Sequence, residues 1–102
     1  MRYLLELSFN GTNYHGWQIQ LNSVSVQETI EKCFSTILNK KISIVGAGRT
    51  DTGVHASYFC AHFDYTYEIE DKSDFIYKSN SFLPSDISIR NIYNVKDDFH
   101  AR

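Results

Sequence analysis

Val26, Ile30, Cys33, Phe34, Ile37 and Leu38 recur at spacings of three and four, and no other stretch limits the possible folds as tightly. Ser25 stands three residues before Glu28, the spacing of a capping box, so the sequence predicts a helix beginning at Val26. Asn39, which tolerates left-handed angles, should end it, with Lys40 and Lys41 near the negative end of its dipole. Such a helix has one apolar stripe and must lay it on a partner, and the rest of the chain supplies mostly strands.

Tyr3, Leu5, Leu7 and Phe9 alternate with Leu4, Glu6 and Ser8, the period of a strand with one face on a core. A second strand is predicted from about Ile42 into Ala47. Ser57 to Tyr65, rich in aromatic and small apolar residues, suits a central strand. Asp71 or Ser73 can cap a second helix carrying Phe75, Ile76 and Phe82, and Leu83-Pro84 should end it because the residue before proline avoids helical angles. In the last strand Ile87, Ile89, Tyr93 and Val95 mostly alternate with polar residues. The order strand, helix, strand, strand, helix, strand is that of the ferredoxin-like α+β unit, a four-stranded antiparallel sheet with both helices on one face.

At 102 residues and 42% hydrophobic content, the chain is expected to make one compact domain with a real core. No internal repeat, linker or low-complexity tract interrupts it. No apolar run reaches membrane-spanning length, and MRYLLELSF lacks the long apolar region and cleavage site of a signal peptide, so a soluble, cytoplasmic protein is expected. Cys33 and Cys60 have no CxxC spacing, and both are expected as buried, reduced thiols outside any disulfide or zinc site.

A net charge of -2 argues against a broad polyanion-binding surface. The charge is unevenly spread: residues 1 to 63 hold five basic and four acidic side chains, and residues 64 to 102 hold five and eight. Between Lys41 and Asp64 only Arg49 and Asp51 are charged, so a polyanion meets little local repulsion there.

Those two residues lie in GAGRTDTGVHA, Gly46 to Ala56, where three glycines allow a tight path that presents Asp51 outward. It is not a dinucleotide fingerprint, since Asp51 stands where the third glycine belongs. Nor is it a P-loop, since Val54 and His55 stand where lysine and a hydroxyl residue belong. A carboxylate at the crest would repel phosphate, which points to an acidic function.

Aspartate is common in tight turns for backbone reasons alone. Arg49 and Asp51, however, straddle Thr50, so both can face one ligand, and the arginine can hold the carboxylate ionised or stack on a base. An ionised carboxylate is a usable nucleophile or base. His55 and His62 follow without a fourth ligand, a poor metal set, and His55 reads as a hydrogen-bonded structural histidine. Tyr14, His15 and Trp17 in the first loop read as plugs at the edge of the core in preference to base-stacking residues. Gln18, Gln20 and Gln27 suit contacts to RNA or to a neighbouring loop equally.

With these residues in place, the chain resembles the N-terminal part of the tRNA pseudouridine synthase A family almost end to end. FNGTNYHGWQIQ is similar to the family's opening motif and Val26-Gln27-Glu28 to its first helix. GAGRTDTGVHA resembles its catalytic loop, Asn80 with Leu83-Pro84-Ser85-Asp86-Ile87 its following turn, and Phe99-His100-Ala101-Arg102 its domain exit. The loop is the most specific of these. The resemblance implies that Asp51 is the catalytic carboxylate that turns uridine into pseudouridine and that Arg49 helps displace and hold the flipped nucleotide. Thr50, Gly53 and His55 are implied as further substrate-binding positions.

The implied substrate is tRNA, at uridines 38 to 40 of the anticodon stem-loop, with no metal or organic cofactor and with homodimers as the working form. The family usually carries aspartate at Asn10 and alanine at Thr52, departures that leave the chemistry intact. Family members continue into a second, C-terminal domain with a tyrosine beside the target base. Residues 1–102 are therefore expected to be an N-terminal domain, inactive alone. The rival readings are a non-catalytic RNA-binding ferredoxin-like module, and a structural or assembly domain using the long helix or an open sheet face.

Overall fold

The computed structural model describes residues 1–102 and contains β1 (Arg2–Phe9), α1 (Val26–Leu38), β2 (Ile44–Gly46), β3 (Ala56–Asp64), α2 (Lys72–Phe82) and β4 (Ile87–Val95). A single 3-10 turn, Gly11–Asn13, follows β1. The strands form one sheet in the order β2-β3-β1-β4, antiparallel at every pairing. This is the ferredoxin-like α+β arrangement that the order of periodicities implies. No helix is long and apolar enough to cross a membrane.

Local chemistry sets the helix ends. The Ser25 hydroxyl accepts the Glu28 N–H at 3.2 Å, and Asn39 closes α1 at φ 52° while its own N–H donates to the Ser35 carbonyl. Of the two capping candidates for α2 it is Asp71 that serves, accepting the Asp74 N–H at 2.9 Å. Leu83 then turns extended before Pro84. In the core, the Phe34 ring of α1 stands edge-on to Phe63 of β3 at 5.2 Å and to Phe75 of α2 at 5.0 Å, joining both helices to one face of the sheet. Burying each such ring contributes about 1.5–3 kcal/mol.

Three features differ from the sequence expectation. The second strand is shorter than Ile42 to Ala47, because side chains of α1 take two of its backbone donors. Ser35 Oγ accepts the Ile42 N–H at 2.9 Å and Glu31 Oε2 the Ile44 N–H at 2.8 Å. Burial pushes the Glu31 carboxyl up, against the pull of that Ile44 bond. In β4 the alternation breaks, since Leu7 pairs with Ile89 while Glu6 pairs with Asn91. Arg90 is thus an extra residue in a β-bulge, and the phase shifts so that Ile92 enters the core and Tyr93 is left exposed.

Cys60 is only half-buried, because it lies on the sheet face opposite the helices, whereas Cys33 is sealed between α1 and α2. Burial raises the Cys33 thiol to about 11. His62 also lies on the helix-free face, yet it is buried, because the closing segment folds over it. The Ala101 N–H donates to His62 Nδ1 at 3.1 Å, the His100 ring stands edge-on at 4.7 Å, and Arg2 Nη1 donates to the Phe99 carbonyl at 2.6 Å.

Candidate active site

The segment between β2 and β3 leaves the sheet after the Ala47 N–H donates to the Cys60 carbonyl at 2.8 Å. Asp51 is exposed at its crest, in a turn closed by the Val54 N–H donating to the Asp51 carbonyl at 3.2 Å. Gly53, at φ 80°, makes that turn and donates its N–H to the Tyr14 carbonyl at 3.2 Å. His55 Nδ1 accepts the Gly11 N–H at 2.8 Å, which makes it the hydrogen-bonded histidine expected from the sequence and fixes the proton of the neutral ring on Nε2.

The carboxylate loop is therefore held by the loop that follows β1. Two glycines make the close approach possible: a Cβ on Gly11 would overlap the Val54 carbonyl oxygen, and one on Gly16 the Thr50 carbonyl oxygen. Gly16 also adopts φ 87°, which disfavours any side chain. The first loop is itself anchored. Trp17 is buried against Phe59 at 4.5 Å between ring centres, and the Tyr14 hydroxyl donates to Asp86 Oδ1 at 2.6 Å. Burial, reinforced by Asp86, pushes the Tyr14 hydroxyl well above its ordinary range. Tyr14 and Trp17 plug the core as expected, and His15 remains exposed.

Gln27 ties this region to α1, donating to the Ile44 carbonyl at 2.7 Å and accepting the Ile19 N–H at 2.9 Å. Of the two uses open to the glutamines, Gln27 and Gln20 take the neighbouring-loop one, Gln20 donating to the His15 carbonyl at 2.7 Å.

Arg49 does not pair with Asp51; the ion pairs of the chain are Arg2 with Asp64 and Lys78 with Asp74. Its side chain lines a recess of about 210 Å³ with Trp17, Gln18, Gly48 and Arg102. An exposed arginine and an exposed carboxylate two residues apart, unpaired with each other, leave both groups free to meet a ligand. Gln18 Oε1 and Thr50 Oγ1 are buried beside them without a hydrogen-bond partner in the chain. Asp51, Arg49, Thr50, Gly53 and His55 thus share one loop, but only Asp51 and Arg49 present free charged groups.

The sequence reading left out Gly11, Gly16, Tyr14 and Asp86 as positioning residues. Asn10-Gly11 and Gly16 were visible as breaks in the chain, but nothing in their spacing reveals that they abut a loop forty residues away.

A family model described as tRNA pseudouridine synthase matches residues 7–102. Curated relatives called tRNA pseudouridine synthase A include one from Bacteroides fragilis, 50% identical over 101 residues, which cover 99% of this chain and 40% of the relative. One from Colwellia psychrerythraea is 46% identical over 102 residues, covering 100% of this chain and 39% of the relative. One from Thermoanaerobacter sp. is 42% identical over 99 residues, covering 97% and 40%. The chain thus spans about 40% of the length of the relatives it matches.

Proposed function

The chain belongs to the tRNA pseudouridine synthase family, and on that premise we propose that it supplies the carboxylate side of a site that isomerises uridine to pseudouridine in the tRNA anticodon stem-loop. The observation that carries this reading is the exposure of Asp51 on a loop whose backbone is fixed by a second loop. A group that reacts with an extruded nucleotide must be reachable and held in place.

The reaction breaks the C1′–N1 glycosidic bond, turns the uracil, and joins its C5 to the same C1′. The C5 proton is lost and N1 gains one, so the base is isomerised without net loss of atoms. Asp51 either attacks C1′ or takes the C2′ proton, and both routes need its carboxylate ionised and against the ribose. Arg49, unpaired and beside it, holds the displaced nucleotide through its phosphate or by stacking. Thr50, Gly53 and His55 shape the loop around the sugar.

The greater part of each relative lies outside the match, and residues from such a portion complete the pocket. Residues 1–102 are read as the N-terminal domain, which converts little uridine by itself. The working enzyme is read as a cytoplasmic homodimer whose joint surface offers the positive charge that a chain of net charge -2 lacks.

The binding-module reading gains one observation, the exposure of Tyr58 and Tyr93 on the helix-free face. Both tyrosines crowd Glu6, however. Tyr58 donates to Glu6 Oε2 at 2.6 Å, which holds that carboxyl below its ordinary range, and the same carboxylate pushes the Tyr93 hydroxyl up. An ionised carboxylate in the middle of the sheet repels a nucleic-acid strand laid across it, so the catalytic reading is the better supported.

The deciding experiment is tritium release from tRNA carrying C5-tritiated uridine, using full-length protein with Asp51 or Asp51→Asn. Turnover is expected to fall at least about 10²–10⁴-fold. RNA affinity and the circular dichroism spectrum should be unchanged. Retained turnover in the variant refutes the assignment.

A further inference from the structure

Past His55, on the sheet face without helices, the ends of β1, β3 and β4 enclose an open groove of about 410 Å³. Two of its ten lining residues are hydrophobic; the rest include Ser8, Ser57, Ser88, Arg90 and Asp86. Asp86 also lines the groove, its oxygens engaged from the side of the first loop by the neutral Tyr14 hydroxyl at 2.6 Å and Asn13 Nδ2 at 3.4 Å, so Arg90 is the groove's cation and Asp86 its one carboxylate. Arg90 is exposed, is in no ion pair, and makes one side-chain hydrogen bond, Nε to Ser8 Oγ at 3.3 Å.

The bulge explains why an arginine is there. Regular pairing would send residues 90 and 91 to opposite faces, whereas the extra residue lets both stand clear of the core. Asn80 of α2 braces this point, accepting the Ile89 N–H at 2.8 Å and donating to the Ile89 carbonyl at 3.0 Å. A cation re-aimed by a braced irregularity, among hydroxyls and beside the loop that presents Asp51, matches the chemistry of a phosphodiester. Glu6, two residues before Ser8 and ionised, bounds the site at its far end by repulsion.

We propose that the groove of Arg90, Ser8, Ser57 and Ser88 binds a backbone phosphate of the RNA strand whose uridine is delivered to Asp51. This rests on the RNA-modifying reading above and adds a positioning residue outside the Asp51 loop. Arg90 contributes the charge, and the serine hydroxyls donate to the non-bridging oxygens. No bond is made or broken in the groove, so the contribution is to RNA affinity and register.

The test measures binding of an anticodon stem-loop RNA to full-length protein by fluorescence anisotropy over a range of KCl concentrations, alongside turnover at saturating RNA. Arg90→Gln is expected to raise Kd about tenfold, the lower end for loss of one charge-assisted contact. It should reduce the slope of log K against log salt by about 0.7–0.9, one phosphate's worth. Turnover at saturation should be unchanged. Arg90→Lys should restore the slope, and Ser88→Asp should weaken binding at low salt. If wild type binds RNA but Arg90→Gln leaves both Kd and slope unaltered, or if only turnover at saturation falls, the phosphate site is overturned while the Asp51 reading stands. If wild type binds no RNA, both fall, and Asp51→Asn separately reports on the chemistry.

Discussion

Replacing Gly16 by alanine should cost far more than the same change at Gly53 or Gly48, and the three sites together separate two physical causes. Gly16 is both left-handed, at φ 87°, and pressed against the Thr50 carbonyl oxygen. Gly53 is left-handed at φ 80° with nothing near its would-be Cβ, and Gly48 has open space and no positive φ. A left-handed alanine costs about 1–2 kcal/mol. Forcing a methyl group into packed backbone adds about 1–3 kcal/mol, because the Thr50 carbonyl cannot swing aside as a side chain can. Against both stands about 0.4–1 kcal/mol gained from stiffening the unfolded chain.

The expected loss is therefore about 2–4 kcal/mol for Gly16→Ala and about 1 kcal/mol or less for Gly53→Ala, with Gly48→Ala neutral to slightly stabilising. Urea unfolding of the 102-residue chain followed by circular dichroism reads all three. On the proposed function, Gly16→Ala should also lower turnover of the full-length protein, since a shift of Thr50 moves Asp51, and a displacement of about 1 Å can cost on the order of 10²-fold. A Gly16→Ala loss within about 0.5 kcal/mol of that for Gly53→Ala, close to the resolving power for surface changes, refutes the idea that one loop props the other.

Two further outcomes follow from buried groups. Burial first, then Arg2 and His100, hold the His62 pKa below its ordinary value of 6.5, so the unfolded chain binds this proton more readily than the folded one. Stability should be fully present above pH 6.5 and decline as pH falls from there toward the folded pKa, and His62→Gln should flatten that decline in urea midpoints measured across the range. A thiol reagent should label the half-exposed Cys60 and spare Cys33, which is sealed and raised to about 11; equal labelling of both in the folded chain contradicts the packing of α1 on α2.

Much of the fold was legible in the residues because each element carries its own period and its own stop signals. Tyr3 to Phe9 alternate without a fault, Ser25 and Asn39 bracket α1 as read, and Asp71 and Leu83 bracket α2. The last strand shows where such reading stops. Its bulge arises from pairing with β1, a non-local event, so a period-two rule carried past Ile89 picks Tyr93 when Ile92 is the residue inside. The same holds for the aromatic run of β3, where composition does not tell the helix-covered face from the other, and Cys60, expected buried, is only half-buried.

At the candidate site the carboxylate and its glycine-lined turn were visible as a local pattern. The props were not, because Gly11, Gly16 and Tyr14 act through contacts that only the closed sheet creates. Of the two uses open to Arg49, holding the Asp51 carboxylate or stacking on a base, the first is not taken within the chain, where the two make no ion pair.

The dovetailing of residues 11–16 with residues 50–55 makes these two stretches a single unit of inheritance. Swapping either one alone between homologous proteins would leave mismatched halves, whereas transplanting both at once preserves their fit. A library that shuffles this region should therefore yield working chimeras mainly where the two stretches share a parent.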